Sequence, residues 1–241
     1  KIMRASFYTA ATGAGTHQSK LDVISNNMAN INTDGYKSKS AVFADLIYNN
    51  INQAQQSASL KSGTGTKIEA TDIDFRKGNY VQTGNPLDFA ITGEGYFAVQ
   101  NPQTQEIFYT RDGSFAMSQP YDFDGETFDL VTKEGYYVLD SYQEPLQLTD
   151  ADQDLDLGIF RFPISNGMQS AENARFLPAE KNGEPEMITE QSQLERGYVE
   201  ASNVDLANEM SRVIETQRAY QFAIRMIQTS DEIEGIVNSL R

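Results

Sequence analysis

The residues of this chain that could do chemistry are few and scattered. A nucleophilic triad needs a histidine held between a hydroxyl and a carboxylate, and the chain has a single histidine, His17. It falls on an apolar helical stripe, where the plain reading is a packing residue. In TDADQDLDLG, Asp150, Asp152 and Asp154 stand at the first three ligand positions of a calcium loop. Leu155 then stands where the sharp turn needs glycine, and Arg161 where a bidentate glutamate should close the site. A solvated acidic loop is the better reading, and YDFDGET (Tyr121 to Thr127) reads as a turn. SGTGTK (Ser62 to Lys67) lacks phosphate-loop spacing, and GEGYF lacks the third glycine of a dinucleotide fingerprint. The 34 acidic residues allow many carboxylate pairs, but none is set off by a surrounding motif. No catalytic residue, metal ligand or cofactor is expected.

Composition narrows the partners. The net charge is -15, which disfavours nucleic acid and anionic membrane, since both need lysine and arginine gathered on one face. No cysteine is present, so disulfides and thiolate metal sites are excluded. No apolar run approaches the ~20 residues that span a bilayer, so membrane insertion is not expected. The opening KIMRASFYTAATGAG has no sustained apolar stretch, so export would use a route without a cleaved secretory peptide.

The elements at the two ends are helical and the middle is not. Phe7, Ala10, Ala14, His17, Leu21, Ile24, Met28 and Ile31 advance by alternating threes and fours, the spacing of a packing seam. Gly13 and Gly15 weaken that helix by about 1 kcal/mol each relative to alanine. It should stop near Asn30, where Asn32, Thr33, Asp34 and Gly35 supply turn chemistry. At the other end Ser202 is the expected cap, with Asp205 three residues on. Leu206, Met210, Val213, Gln217, Tyr220, Ile224 and Ile227 keep the same step, and Ser230, Ile233, Val237 and Leu240 resume it after a slip. A helix over 203–240 would be roughly 55 Å long. The two helices should pack antiparallel. Their stripes alone would not shield either from water, so further copies are expected to complete the burial.

Between them, residues 41–56 fit helix or strand equally. Ser59 to Lys67 reads as a loop or hairpin tip, and IEATDIDF as a strand. PLDFAIT puts Leu87, Phe89 and Ile91 on one face and Asp88, Ala90 and Thr92 on the other. Turn signals at Gly93-Glu94-Gly95, Asp112-Gly113, Asp124-Gly125 and Glu134-Gly135 divide short strands, and LGIFRFPI is another strand. A small antiparallel barrel or sandwich is expected. The fold class is therefore α+β, with paired terminal helices bracketing an antiparallel β-rich middle. The boundaries are 1–32 for the first helix, 33–75 for a connector, 76–195 for the β domain and 196–241 for the last helix.

Three stretches carry a resemblance. NNMANINTDGYK (Asn26 to Lys37) is close to the pattern N-N-L-A-N-[VI]-x-T-x-G-[YF]-K, with Met28 in place of leucine. PLDFAITGEGYFAV (Pro86 to Val99), followed by YTRDGSF (Tyr109 to Phe115), is the second. GYVEASNVDLANEM with ETQRAYQ (Glu215 to Gln221) is the third. In this order they resemble the flagellar rod and hook axial family, of distal-rod or proximal-rod type. The middle, from Leu146 to Gly158, looks shortened against distal-rod members.

The resemblance implies a structural subunit of the bacterial basal-body rod. Its terminal helices would form an inner coiled coil and its middle an outer β domain. Subunits would stack helically around a narrow export channel and transmit torque. The implied partners are copies of itself, other rod and hook axial proteins, and the type III export apparatus. The implied assembly residues are Leu21, Ile24, Asn27, Met28, Asn30, Ile31, Thr33, Gly35, Tyr36 and Lys37 near the first end. Near the second they are Asn203, Val204, Leu206, Met210, Val213, Gln217, Tyr220, Ile224 and Ile227. Asn27 and Gln217 are expected to fix helix register as buried polar groups. Gly35 is expected at positive φ, and Gly35→Val should block assembly with the β domain still folded. An adhesin-like β module on a helical stalk, or a hydrolase with an acidic pair, would need a ligand groove or turnover instead.

Overall fold

The structure, a computed structural model, describes residues 2–46, 49–50, 61–119, 127–151, 153, 155–188 and 194–240. The chain divides into two units, one of residues 1–29, 39–72 and 205–241, the other of residues 30–38 and 73–204. Asp124, Gly125 and most of YDFDGET lie outside the described residues, as do 51–60, Asp152 and Asp154.

The first unit is built on two long helices, α1 (Ile2–Ala29) and α2 (Leu206–Ser239), packed against each other. Arg212, near the start of α2, lines a pocket with Lys20, Val23 and Ile24 from the last third of α1, as antiparallel packing requires. The strand Lys39–Asp45 pairs with Thr66–Ile73, so the ambiguous 41–56 stretch begins as strand. Asn49–Asn50 pairs with Lys61–Ser62. Gly63 to Gly65 therefore links two strands and is not a hairpin tip. At Gly65, φ is +118° and an added Cβ would lie 2.0 Å from Thr12 Oγ1, so this link is laid directly on α1. Thr16 Oγ1 sits between the carbonyls of Thr12 (2.7 Å) and Thr66 (2.9 Å).

α2 starts later than expected. Asp205 is the N-cap, and its carboxylate accepts from the backbone N–H of Ala207 and Asn208. Such a cap satisfies two of the donors a helix start leaves free. Ser202 instead accepts from Val204 N at 3.3 Å, and Asn203 and Val204 lie outside the helix. The 34-residue helix is then roughly 51 Å long.

The inner line of α2 also differs. Glu209 and Thr216 are buried, with Val213, Tyr220, Ile224 and Ile227 half-buried beside them. Leu206, Met210 and Gln217 are exposed. Two polar groups take the inner line with local hydrogen bonds, although Glu209 Oε2 is buried with no partner among the described residues. The Thr216 hydroxyl donates to Arg212 O at 2.6 Å, and Glu209 Oε1 accepts from Arg212 Nη1 at 2.8 Å. Gln217 is thus no buried register residue.

The second unit is an antiparallel β domain. Its main sheet runs through Tyr96–Gln100, which pairs with Ile107–Thr110, Tyr137–Val138 and Ile159–Arg161. Phe128–Thr132 pairs with Phe115–Ser118, Tyr137–Val138 and Gln147–Leu148. Side chains alternate along a strand, and here both faces are covered. Phe97 and Val99 enter one apolar cluster with Phe89, Ile91 and Leu130, while Tyr96 and Ala98 enter a second with Phe160 and Phe176. PLDFAIT is likewise closed on both faces. Ala90 is fully buried, and the buried Asp88 accepts from Thr83 Oγ1 (2.5 Å) and Asn85 Nδ2 (3.0 Å). Two short pairs complete the domain, Leu194–Arg196 with Phe89–Ile91 and Tyr198–Glu200 with Tyr80–Gln82.

Candidate functional site

The first and third sequence motifs meet inside the β unit. The chain leaving α1 turns at residues 30–35, where Thr33 Oγ1 donates to Asn30 Oδ1 and Thr33 N to Asn30 O, both at 3.2 Å. Gly35 follows at φ +68°, a conformation that costs residues with a Cβ. An added Cβ there would lie 2.2 Å from Asp112 N and 2.5 Å from Arg111 C. The earlier expectation for Gly35→Val is therefore corrected: the side chain would strike the backbone of the β unit itself, and that unit would not be spared.

From this turn the backbone is sewn to the segment before α2. Gly35 N donates to Glu200 O at 2.7 Å and Asn203 N to Tyr36 O at 3.3 Å. The Asn203 amide joins three segments, accepting from Ser38 N (2.7 Å) and donating to Asp74 O (2.8 Å) and Arg76 O (3.0 Å). Tyr36 and Val204 are buried with Ala174, and Ile31 packs on them.

Three charges lie beneath. Glu200 Oε1 accepts from Lys37 Nζ at 2.5 Å and from Gly78 N at 2.9 Å. Its Oε2 accepts from Arg111 Nη1 at 3.1 Å. Lys37 also donates to Arg76 O (2.9 Å), and Arg111 to Ile91 O (3.1 Å) and Gly93 O (3.0 Å). The Lys37 and Glu200 side chains are 1% and 0% exposed. Burial holds the Lys37 ammonium below its ordinary range, and Glu200 opposes that shift. Both oxygens of the carboxylate are occupied by donors, so Glu200 is not poised as a general base or nucleophile. The arrangement fixes two distant segments of chain, and its purpose is mechanical.

The implied assembly residues divide by place. Gly35, Tyr36, Lys37, Asn203 and Val204, with Asn30, Ile31 and Thr33, serve this internal junction. Asn27 is fully buried and grips the backbone of Lys39 from both sides, Nδ2 to Lys39 O at 2.8 Å and Lys39 N to Oδ1 at 2.9 Å. It secures α1 to a strand, where helix-to-helix register was expected. Ile24 is buried, and Leu21 and Met28 are half-buried. Val213, Tyr220, Ile224 and Ile227 are half-buried, while Leu206, Met210 and Gln217 remain exposed on α2.

Arg111 and Glu200 escaped the sequence reading although both stand inside the quoted motifs. The available signal was a charge embedded in an aromatic or β-branched strand pattern, Tyr109-Thr110-Arg111 and Tyr198-Val199-Glu200. His17 is half-buried, and burial followed by the nearby Lys20 lowers its pKa. Among the described residues no three histidine, aspartate or glutamate side chains gather in a way that could hold a metal. No helix among them is long and apolar enough to cross a membrane.

Comparison with known proteins falls on the same three stretches. Residues 7–37 match the family described as "Flagella basal body rod protein". Residues 90–164 match "Flagellar hook protein FlgE/F/G D1 domain", and residues 195–240 "Flagellar basal body rod FlgEFG protein C-terminal". The chain is 33% identical to the flagellar basal-body rod protein FlgG of Buchnera aphidicola subsp. Schizaphis graminum, over 96% of this chain and 97% of that protein. It is 33% identical to FlgG of Borreliella burgdorferi, over 100% and 99%. Against the rod protein FlgF of Mesorhizobium japonicum it is 31% identical, over 99% and 98%.

Proposed function

Because this chain belongs to the flagellar basal-body rod protein family, with full-length FlgG and FlgF relatives, we propose that its copies polymerise helically around the export channel into the drive shaft that transmits torque. The chain is a structural, non-enzymatic subunit of the basal-body rod and assembles with rod subunits. In this reading the unit of residues 1–29, 39–72 and 205–241 is the inner helical domain and the unit of residues 30–38 and 73–204 the outer β domain, so the expected connector 33–75 is divided between them and residues 196–204 belong to the β unit. Other rod and hook axial proteins lie above and below, and the type III export apparatus delivers the subunit.

One observation carries the proposal. α2 bears two apolar lines besides the line that α1 covers. Phe222, Met226, Ile233, Val237 and Leu240 are between 42% and 82% exposed, and their steps of four, seven, four and three set them on one stripe. Leu206, Met210 and Ile214 form another on the opposite flank, 44% to 54% exposed. Fully burying one such side chain contributes roughly 1.5–3 kcal/mol. Neighbouring helices in a tube would supply that burial on both flanks at once.

The test is Phe222→Ser with Met226→Ser in the full chain. Circular dichroism should show an intact fold, because neither side chain lies on the covered line, while rods shorten or vanish and swimming stops. Rods of normal length and number from this variant would overturn the proposal.

A further inference from the structure

A small pocket in the helical unit is cationic in an acidic chain. Lys20, Val23 and Ile24 of α1, Lys39 and Phe43 of the neighbouring strand, and Arg212 of α2 line a space of about 220 Å³. No carboxylate among the described residues lines it. Arg212 is shared with Glu209 at 2.8 Å, but Lys20 and Lys39 are ion-paired to no carboxylate among the described residues. Lys20 lies 5.6 Å from the centre of the Phe43 ring. Burial alone lowers the Lys39 ammonium, with no anion to oppose it. A partly desolvated cation without a counter-charge is costly, and an arriving carboxylate would relieve that cost.

The complement stands on the same helix. Asp231, Glu232 and Glu234 are exposed and make no ion pair among the described residues. They cannot reach the pocket of their own chain. α2 is one continuous helix from Leu206 to Ser239, so the twenty positions from Arg212 to Glu232 separate them by roughly 30 Å. We infer that the pocket at Lys20, Lys39 and Arg212 receives the acidic segment Asp231 to Glu234 of a second copy of this chain. The inference rests on the polymer reading above and adds its electrostatic register. Pocket and acidic segment occupy different places on one molecule, so the contact is head-to-tail and propagates. It staggers the two joined copies by roughly 30 Å along the helix direction.

The chain has no native cysteine, which makes the test direct. Full-length chains carrying only Lys39→Cys are mixed with chains carrying only Glu232→Cys, polymerised, and treated with a short bismaleimide. The expected result is a mixed dimer absent from unpolymerised samples. Reversing the pocket with Lys20→Glu and Lys39→Glu should lower polymer yield about tenfold at low salt, the scale of two part-exposed ion pairs. Mixing in chains with Asp231→Lys, Glu232→Lys and Glu234→Lys should restore it. Polymers of the two cysteine-bearing chains without the mixed cross-link would overturn the inference, as would reversal without rescue or a cross-link inside a monomer carrying both cysteines. Failure of the wild-type chain to polymerise at all would fell the parent reading, and this contact with it.

Discussion

Lys37 Nζ lies 2.5 Å from Glu200 Oε1 across 163 positions of sequence. This pair joins the turn after α1 to the segment before α2, and Arg111 shares the same carboxylate. Two cations therefore depend on one buried anion. Glu200→Ala would leave both uncompensated, and breaking such a buried arrangement costs about 3–5 kcal/mol. The expected outcome is a β-unit transition shifted to lower urea by that amount. Far-ultraviolet circular dichroism can follow it, since the chain has no tryptophan. A shift below about 1 kcal/mol would show that water already compensates the three charges.

Gly35→Ala should be costly for two separable reasons. Positive φ disfavours any residue with a Cβ, by about 1–2 kcal/mol. The Cβ would also meet backbone at 2.2 Å and 2.5 Å, which cannot rotate away as a flexible side chain can. A loss of roughly 3 kcal/mol or more is expected. A melting curve of the variant that matched the unaltered chain would refute the close approach.

Asp112 gives a pH dependence of defined sign. Burial raises its carboxyl above the ordinary range, against the lowering hydrogen bonds from Ser114 and the field of Lys133, with Asp34 adding to the rise. Between the ordinary value near 3.8 and the raised folded value, the folded chain holds more proton than the unfolded chain. Stability contributed by Asp112 therefore grows as pH falls through the folded pKa and levels off below the unfolded one. Asp112→Asn can keep the acceptor for Ser114 N (2.9 Å) and removes the titration. The wild type should gain on this variant as pH drops from neutral. A constant difference across that window would contradict the assignment.

What the sequence disclosed was local, and what it hid was distant. The stop after Ala29, the positive φ of Gly35 and the strand through Phe89 and Ile91 follow from turn chemistry and spacing within a few residues. The convergence of Lys37, Arg111 and Glu200 needs three segments brought together, and no periodicity reports that. The start of α2 was misjudged for the same reason. Asn203 spends its amide on Ser38, Asp74 and Arg76, so it stays outside the helix and Asp205 becomes the cap. Thr216 and Glu209 take the inner line through their bonds to Arg212, which the three-four apolar step does not report.

Asn27 should be intolerant of an apolar replacement of similar size. Asn27→Leu would strand both the N–H and the C=O of Lys39, and an unmet buried polar group costs about 1–3 kcal/mol. Asn27→Asp keeps the acceptor for Lys39 N but sets an anion against Lys39 O, so it should also destabilise. Thermal unfolding of the helical unit measures both. Equal stability of Asn27→Leu and wild type would mean that water replaces the grip on Lys39.

The end of α2 should change its dynamics on assembly. The line facing α1 runs through Glu209, Val213, Thr216, Tyr220, Ile224 and Ile227 to Ser230, and every residue from Asp231 to Leu240 is exposed. With no covered apolar side chain, these last turns are held by helix hydrogen bonds alone, the regime in which helices fray. Amide exchange in the free chain should be fast over 231–239 and slow over 209–227. In polymerised samples the first segment should slow by at least tenfold, about 1.4 kcal/mol of added local stability, because Ile233, Val237 and Leu240 then gain cover. Equal protection of the two segments in a demonstrated monomer would mean that the free chain already shields its own end, and the drive toward neighbours would have to lie elsewhere.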